Sequence, residues 1–517
     1  MSQKIRSITI VGGGTAGWLS AVYLNKVLMA DKNVPISIRL VESADIGIIG
    51  VGEATVPTLA HTLQVAGIPE WQFAKEADVS FKHGIKFVDW LRAPAQDRPG
   101  HHYFHPFEAP RVYDGFNALT HWLRLKELGV EMPPLAEAVS LQPALAEALR
   151  SPKTYSDQPY QAPVTYAFHL DAVKFAQMLR KVGIERGVEH VVDNVLDVNL
   201  DDGGNIASLV TEKSGVLAAD FFIDCTGFQA LLIEKHLKEP FVSFSDTLLC
   251  DAAVAMQLPH GEEPPRIRPY TTATAKSAGW IWEIDLFSRR GNGYVYSSRH
   301  QSEDEATSLL LSHLGVGEAQ AAPRQLRMRV GHRRQSWVKN CVAIGLSGGF
   351  IEPLESTGIY LIEHALWMLV DYIGAGEAAP VLAKQFNRNF ANLYRELHDF
   401  VQLHYLLTMR EDTKFWSDYK NEVPLSDALR AKMELWQCKM PSVGDLEGKQ
   451  SLFGPHNYFF ILAGMNFLPP LGANITPYID PATSTKALQQ IQTVREQALK
   501  VAPDHYDAIK NLRSKSA

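Results

Sequence analysis

Residues Ser7–Val11 form a short, almost unbroken apolar run of the length expected for a buried strand. Three glycines follow at once, and residues 18–29 then repeat their apolar positions at helical spacing. Residues 36–41 make a second β-branched run that ends at Glu42. Strand, helix and strand in this order predict a βαβ unit with parallel pairing. Residues 168–186 carry a helical period. Residues 190–200 and 206–211 alternate as strands around Asp201-Asp202-Gly203-Gly204. Segments 221–224 and 341–345 read as short buried strands, 245–300 as a strand-rich antiparallel region, and 358–440 as helical with aromatic faces. Residues 85–105 are mixed around a polar loop at 95–100, and the Pro- and Ala-rich stretch 131–160 reads as a surface insertion.

Composition narrows the classes. The 517 residues are 46% hydrophobic and 21% charged, an ordinary globular balance that excludes a mostly disordered chain. Fifty basic against 57 acidic residues give −7, a poor match for duplex DNA or an anionic membrane surface. Four scattered cysteines without a CxxC pair make neither a disulfide framework nor a zinc site, so no metal is expected. The basic start leads into an apolar run too short for a signal sequence, and no apolar run reaches membrane-spanning length. The expected location is the cytoplasm.

Gly12-x-Gly14-x-x-Gly17 lies between the first strand and the helix. The first glycine permits the tight turn, the second admits a pyrophosphate to the backbone, and the third lets helix and strand pack closely. The helix N-terminus adds unpaired N–H groups, and Glu42 at the end of the next strand can accept from ribose hydroxyls. This pattern predicts dinucleotide binding. Residues 50–55, Gly-Val-Gly-Glu-Ala-Thr, form a second glycine loop whose simpler reading is a strand-ending turn. Asp224-Cys225-Thr226-Gly227-Phe228 is equally a plain turn or a late cofactor loop.

Other segments carry chemistry only in combination. Trp280 and Trp282, two apart on a strand, share a face and serve either as core or as a dry wall. In Glu352-Pro-Leu-Glu-Ser-Thr-Gly358, two acids precede a helix start, either as a solvated cap or as an anion site. Lys82 and Lys86 would share a strand face, as would His105 and Phe107. A lone lysine is usually a surface charge and an aromatic cluster is usually core.

Together these segments resemble the flavin-dependent tryptophan halogenase family from residue 5 to about residue 475. The carriers are residues 11–18 (Val-Gly-Gly-Gly-Thr-Ala-Gly-Trp), 50–55, 80–87 (Ser-Phe-Lys-x-x-x-Lys-Phe), 279–284 (Gly-Trp-x-Trp-x-Ile) and 352–360. The resemblance implies an α/β fold: a Rossmann-like FAD-binding domain of the flavin monooxygenase type, an inserted β-sheet region and a C-terminal helical substrate module. The implied division is 1–240 with 325–375 for FAD, 241–324 for the antiparallel sheet, and 376–517 for the helical module.

Roles follow motif by motif. Lys82 and Glu355 are the implied catalytic residues. Gly12, Gly14, Thr15, Ala16, Gly17, Glu42, Gly50, Ala54, Ser356 and Ile359 would bind FAD. Thr357 and Gly358 would hold the halide, and His105, Phe107, Trp280, Trp282 and Phe453 would line the substrate pocket. Implied co-reactants are FADH2 from a separate flavin reductase, O2, and chloride or bromide. The implied substrate is an aromatic small molecule, with neither nucleic acid nor membrane as partner and a homodimer left open. Two departures stand out. Asp285 replaces the family's proline after Ile284. The stretch 442–453 also lacks the Tyr-Tyr pair, while Leu452 and Phe453 replace Phe-Trp, although Glu447 could supply a carboxylate. The resemblance therefore points to indole or an indole derivative rather than free tryptophan. An aromatic hydroxylase and a non-catalytic flavin-fold binding protein are the alternatives.

Overall fold

A computed structural model describes residues 3–28, 36–47, 52–95, 100–317, 322–373, 377–446 and 451–516. Gly50 and Glu447 lie outside these residues. The first layer is a six-stranded sheet in the order Glu189–Val192, Ser37–Glu42, Ser7–Val11, Phe221–Asp224, Cys341–Ala343, Trp337–Val338. The first five strands run parallel and the last antiparallel. The central strands Ser7–Val11, Phe221–Asp224 and Cys341–Ala343 are largely apolar and buried, as in a sheet covered on both faces. Helices Thr15–Leu28, Ala172–Glu185 and Gly358–Tyr372 pack together against it. A cluster of Val198, Leu209 and Phe222 joins it to the small antiparallel sheet formed by 195–200, 206–211 and 216–218.

The second layer has seven strands in the order Arg324–Arg327, Ala252–Pro259, Arg289–Tyr296, Gly279–Asp285, Thr271–Lys276, Gly84–Val88, His102–Pro106. All neighbours are antiparallel except Thr271–Lys276 with Gly84–Val88. This sheet carries Trp280 and Trp282 on one strand and His105 on another. A third, three-stranded sheet pairs Ser80–Lys82 with Ala167–Leu170, with Lys82 opposite Ala167. The helix Pro380–Leu406 and the helices beyond residue 414 close the far side. Among the described residues, no helix is long and apolar enough to cross a membrane.

Four local expectations change. The helix expected over 168–186 begins only at Ala172, because Asp171 caps it by accepting from the N–H groups of Val173 and Lys174, and Phe168 belongs to a strand. The expected strand 190–200 is two strands that enter different sheets. The stretch 131–160 is not only a surface insertion. Its helices Leu135–Val139 and Gln142–Glu147, with Leu141 between them, bury Leu135, Val139, Leu141 and Leu145 in a second core with Phe460 and Ile491. Lys82 and Lys86 do not share a face. The chain breaks at His83-Gly84, where a Cβ on Gly84 would lie 2.3 Å from the His105 carbonyl oxygen, and Lys86 pairs with Glu147 at 2.6 Å.

Candidate active site

A cavity of about 700 Å³ opens at the C-terminal ends of the parallel strands, the place where open α/β sheets bind their ligands. Gly12, Gly14, Thr15, Ala16, Glu42, Ala54, Ser356, Gly358 and Ile359 line it. Thr226, Gly227 and Phe228 line it as well, so the late turn belongs to the same site. The glycines divide their work. Gly12 has φ +112, and a Cβ there would lie 2.2 Å from the Cys225 carbonyl oxygen. A Cβ at Gly17 would lie 1.8 Å from the Gly12 carbonyl oxygen, so Gly17 allows the helix to cross the strand closely. A Cβ at Gly14 would meet nothing within 4 Å, leaving that side of the loop open to a ligand. Glu42 folds over Gly13 and is hydrogen-bonded to His190 Nε2 at 2.7 Å. A long cavity ending in a glycine turn, a helix start and a strand-end carboxylate fits FAD.

Trp280 and Trp282 both face this cavity, with ring centroids 6.4 Å apart. His105 does not line this cavity. The Trp280 indole donates to Glu352 Oε1 at 3.2 Å, and the Tyr405 hydroxyl donates to the same oxygen at 2.5 Å. Burial pushes Glu352 up to about 7 despite these two donors. Glu53 also lines the cavity, and burial raises it to about 7.

Lys82 is fully buried. Its Nζ donates to the Thr55 carbonyl oxygen at 3.0 Å and to Ser356 Oγ at 2.9 Å, and lies 5.0 Å from the centre of the Phe107 ring. Burial lowers its pKa to about 7, opposed by the negative charge of Glu355. The strand is latched from the C-terminus: the Phe81 N–H donates to His505 Nε2 at 3.1 Å, and His505 Nδ1 donates to the Ile267 carbonyl at 2.8 Å.

The turn before the helix Gly358–Tyr372 sets the directions of its side chains. Ser356 adopts φ 61, a left-handed conformation uncommon outside glycine. Ser356 thereby faces the cofactor cavity while Glu355 faces the other way. The Glu355 carboxylate lies 3.1 Å from His105 Nδ1 and 3.0 Å from His404 Nε2. Burial alone would raise Glu355, but these two histidines hold it down to about 2. Thr357 is fully buried with its hydroxyl unpartnered, and Gly358 opens a 15-residue helix whose first N–H groups have no partner within the helix. An anion suits that position.

On the Glu355 side, His105 lies 6.2 Å from Phe453 and 5.9 Å from Phe400, and Phe453 stacks on Phe400 at 3.8 Å. Asn457 Nδ2 lies 3.0 Å from His105 Nε2. In the stretch that departs from the family pattern, Asp445 is already engaged by Trp436, Lys439 and Ser442. Sequence reading missed His404, Tyr405 and Asn457. The available signal for His404 was the polar cluster His398, Asp399, Gln402 and His404 within one aromatic-rich helix, all of them buried.

Comparison with known proteins adds independent findings. Residues 7–479 match the family model described as tryptophan halogenase. The chain is 38% identical to tryptophan 6-halogenase SttH of Streptomyces toxytricini, over 97% of each chain. It superposes on a tryptophan halogenase from Shewanella frigidimarina with TM-score 0.91 at 33% identity, covering 99% of this chain and 98% of that one. For BrvH, a flavin-dependent halogenase from Brevundimonas, the TM-score is 0.88 at 34% identity, covering 98% and 99%.

Proposed function

The chain belongs to the tryptophan halogenase family, and from that premise we propose that it halogenates an electron-rich aromatic, indole or an indole derivative, through Lys82. One observation carries the reading. Ser356 lines the cofactor cavity and holds Lys82 at 2.9 Å, while the adjacent Glu355 faces His105 among the aromatic rings. Lys82 thus stands between a cofactor side and a substrate side.

Bound reduced FAD, delivered by a separate reductase, would supply hypohalous acid from O2 and halide. Gly12 to Gly17 and Glu42 would hold the cofactor, and Thr357 with Gly358 would hold chloride or bromide by backbone N–H. Ala54 and Ile359 would also contact the cofactor, with Trp280 and Trp282 keeping the cavity dry. A buried amine with its pKa near 7 is partly unprotonated at neutral pH. It can donate a hydrogen bond to hypohalous acid, or take the halogen as N–halogen with water leaving. His105, Phe107 and Phe453 would position the substrate ring, and the Glu355 carboxylate would stabilise the positive charge that develops on it. The ring carbon that carries both halogen and hydrogen is a far stronger acid than a carboxyl group, so even a carboxylate held near 2 can take the ring proton that leaves as the halogen stays. Residues 1–240 with 325–375 would form the cofactor part, 241–324 the sheet part and 376–517 the helical module, acting in the cytoplasm.

The test is a panel of indoles and phenols, each with chloride and bromide, a flavin reductase and FAD, read by mass spectrometry. Halogenated indole supports the reading. Hydroxylated product without halogen, or NAD(P)H oxidation without added reductase, overturns it.

A further inference from the structure

The hydrogen bonds around Glu355 fix where the protons lie. The Asn457 side chain is oriented by Gly454, whose N–H donates to Oδ1 at 2.8 Å, so the NH2 end faces His105. An amide NH2 only donates. His105 Nε2 must therefore be an unprotonated acceptor, and His105 is neutral with its proton on Nδ1, aimed at both Glu355 oxygens at 3.1 Å. His404 is placed differently. Its Nδ1 lies 2.9 Å from the Phe400 carbonyl oxygen, which only accepts, so Nδ1 carries a proton. Its Nε2 lies 3.0 Å from Glu355 Oε1. A bond there needs one more proton, held by His404 or by Glu355.

Resting on the reading of Glu355 given above, we infer that this proton belongs to His404, a positioning residue that is an imidazolium buried against the Glu355 carboxylate while His105 stays neutral. Three observations favour His404. In water an imidazole outcompetes a carboxylate for a proton by a factor of about 100. Glu355 already accepts from His105 at both oxygens, which favours its charged form. The His404 ring also sits 4.9 Å from Phe87 and 5.4 Å from Phe400, aromatic neighbours that suit a cation. Among the described residues, Lys82 and Tyr103 on neighbouring strands also couple to Glu355, His456 couples to His105, and the Trp90 ring lies 6.1 Å from His404. Asn457 is then the residue that decides which histidine is charged. Its consequence for the reaction is that Glu355 enters turnover as an anion with a fixed counter-cation behind it.

The test is nitrogen-15 NMR of the full chain labelled at histidine, at pH 7.5 without cofactor or substrate, so that it does not depend on turnover. In the wild type, His404 should show both ring nitrogens protonated, its signal being assigned by its disappearance in His404→Gln. In Glu355→Gln the same histidine should become neutral, protonated at Nδ1 only, because the glutamine amide can donate to Nε2. If His404→Gln does not fold, the change in Glu355→Gln identifies the signal. A neutral His404 in the wild type, or an imidazolium that persists unchanged in Glu355→Gln, overturns the inference. Failure of the halogenation assay alone leaves these spectra as they are.

Discussion

Lys82 Nζ and Ser356 Oγ lie 2.9 Å apart although 274 residues separate them in sequence. The bond closes the third sheet onto the start of the helix Gly358–Tyr372. It also places the amine where burial lowers its pKa to about 7. A surface lysine would stay fully protonated at neutral pH and would make a poor halogen carrier.

The amine should give the reaction its pH dependence. If halogen passes through the unprotonated amine, the halogen-transfer rate rises with pH through about 7 as Lys82 loses its proton. The Glu355 charge holds that pKa up, so Glu355→Gln should move the rising limb to lower pH, by less than the loss of that charge alone would give because the same variant neutralises His404 behind it. The same variant should lower the rate roughly 100-fold. Single-turnover rates from pH 6 to 9 check both points. An unmoved limb would remove the electrostatic link between the two residues, and a limb that falls with pH would assign the protonated, hydrogen-bonding form.

The glycine loop should separate fold from cofactor binding. Gly14→Ala meets no protein atom, so its Tm should stay within about 2 °C of wild type while FAD affinity drops at least about tenfold. Gly17→Ala drives a methyl into the Gly12 carbonyl oxygen, so it should lower Tm by several degrees. Thermal melts and flavin titration read the contrast. Equal loss of stability in both variants would contradict it.

Glu352 should leave a mark on stability. Its folded pKa near 7 lies above the ordinary value of 4.5. Between these values the folded state binds the extra proton, so this group's contribution is greatest below pH 4.5 and declines as pH rises to 7. The full span is roughly 3 kcal/mol at most. Denaturant unfolding at pH 5 and pH 7.5 should show a shallower decline in Glu352→Gln than in wild type. Parallel slopes would show that Glu352 does not hold a proton in the fold.

Much of this was legible in the sequence. Period-two spacing set Trp280 and Trp282 on one face, and they line one cavity. The glycine pattern located the turn after the first strand. The rest depends on distant packing. His404 and Glu355 are 49 residues apart, and a histidine in an aromatic-rich helix reads as core. The break at His83-Gly84, which turns Lys86 away from Lys82, comes from the close approach of the His105 backbone, and local propensity does not encode that. The alanine-rich helices of 131–160 looked like surface because their partner, the helix Pro481–Val501, lies over 300 residues later.

Substrate choice follows from the missing groups. A buried ammonium and carboxylate each cost several kcal/mol unless paired. Asp445, an acid in the departing stretch, is engaged by Lys439 and Trp436. Indole should therefore exceed tryptophan in kcat/KM, with halogen on C3, the most nucleophilic ring carbon. Parallel kinetics under one halide check this. A preference for tryptophan with a single benzo-ring product would contradict it.

The most direct measurement is on Lys82→Ala. With reductase, FAD, halide and catalase present, the variant is expected to reoxidise flavin at the wild-type rate and to release hypohalous acid to a taurine trap, but to form no halogenated indole. Halogenated indole at a substantial fraction of the wild-type rate would contradict delivery by this lysine.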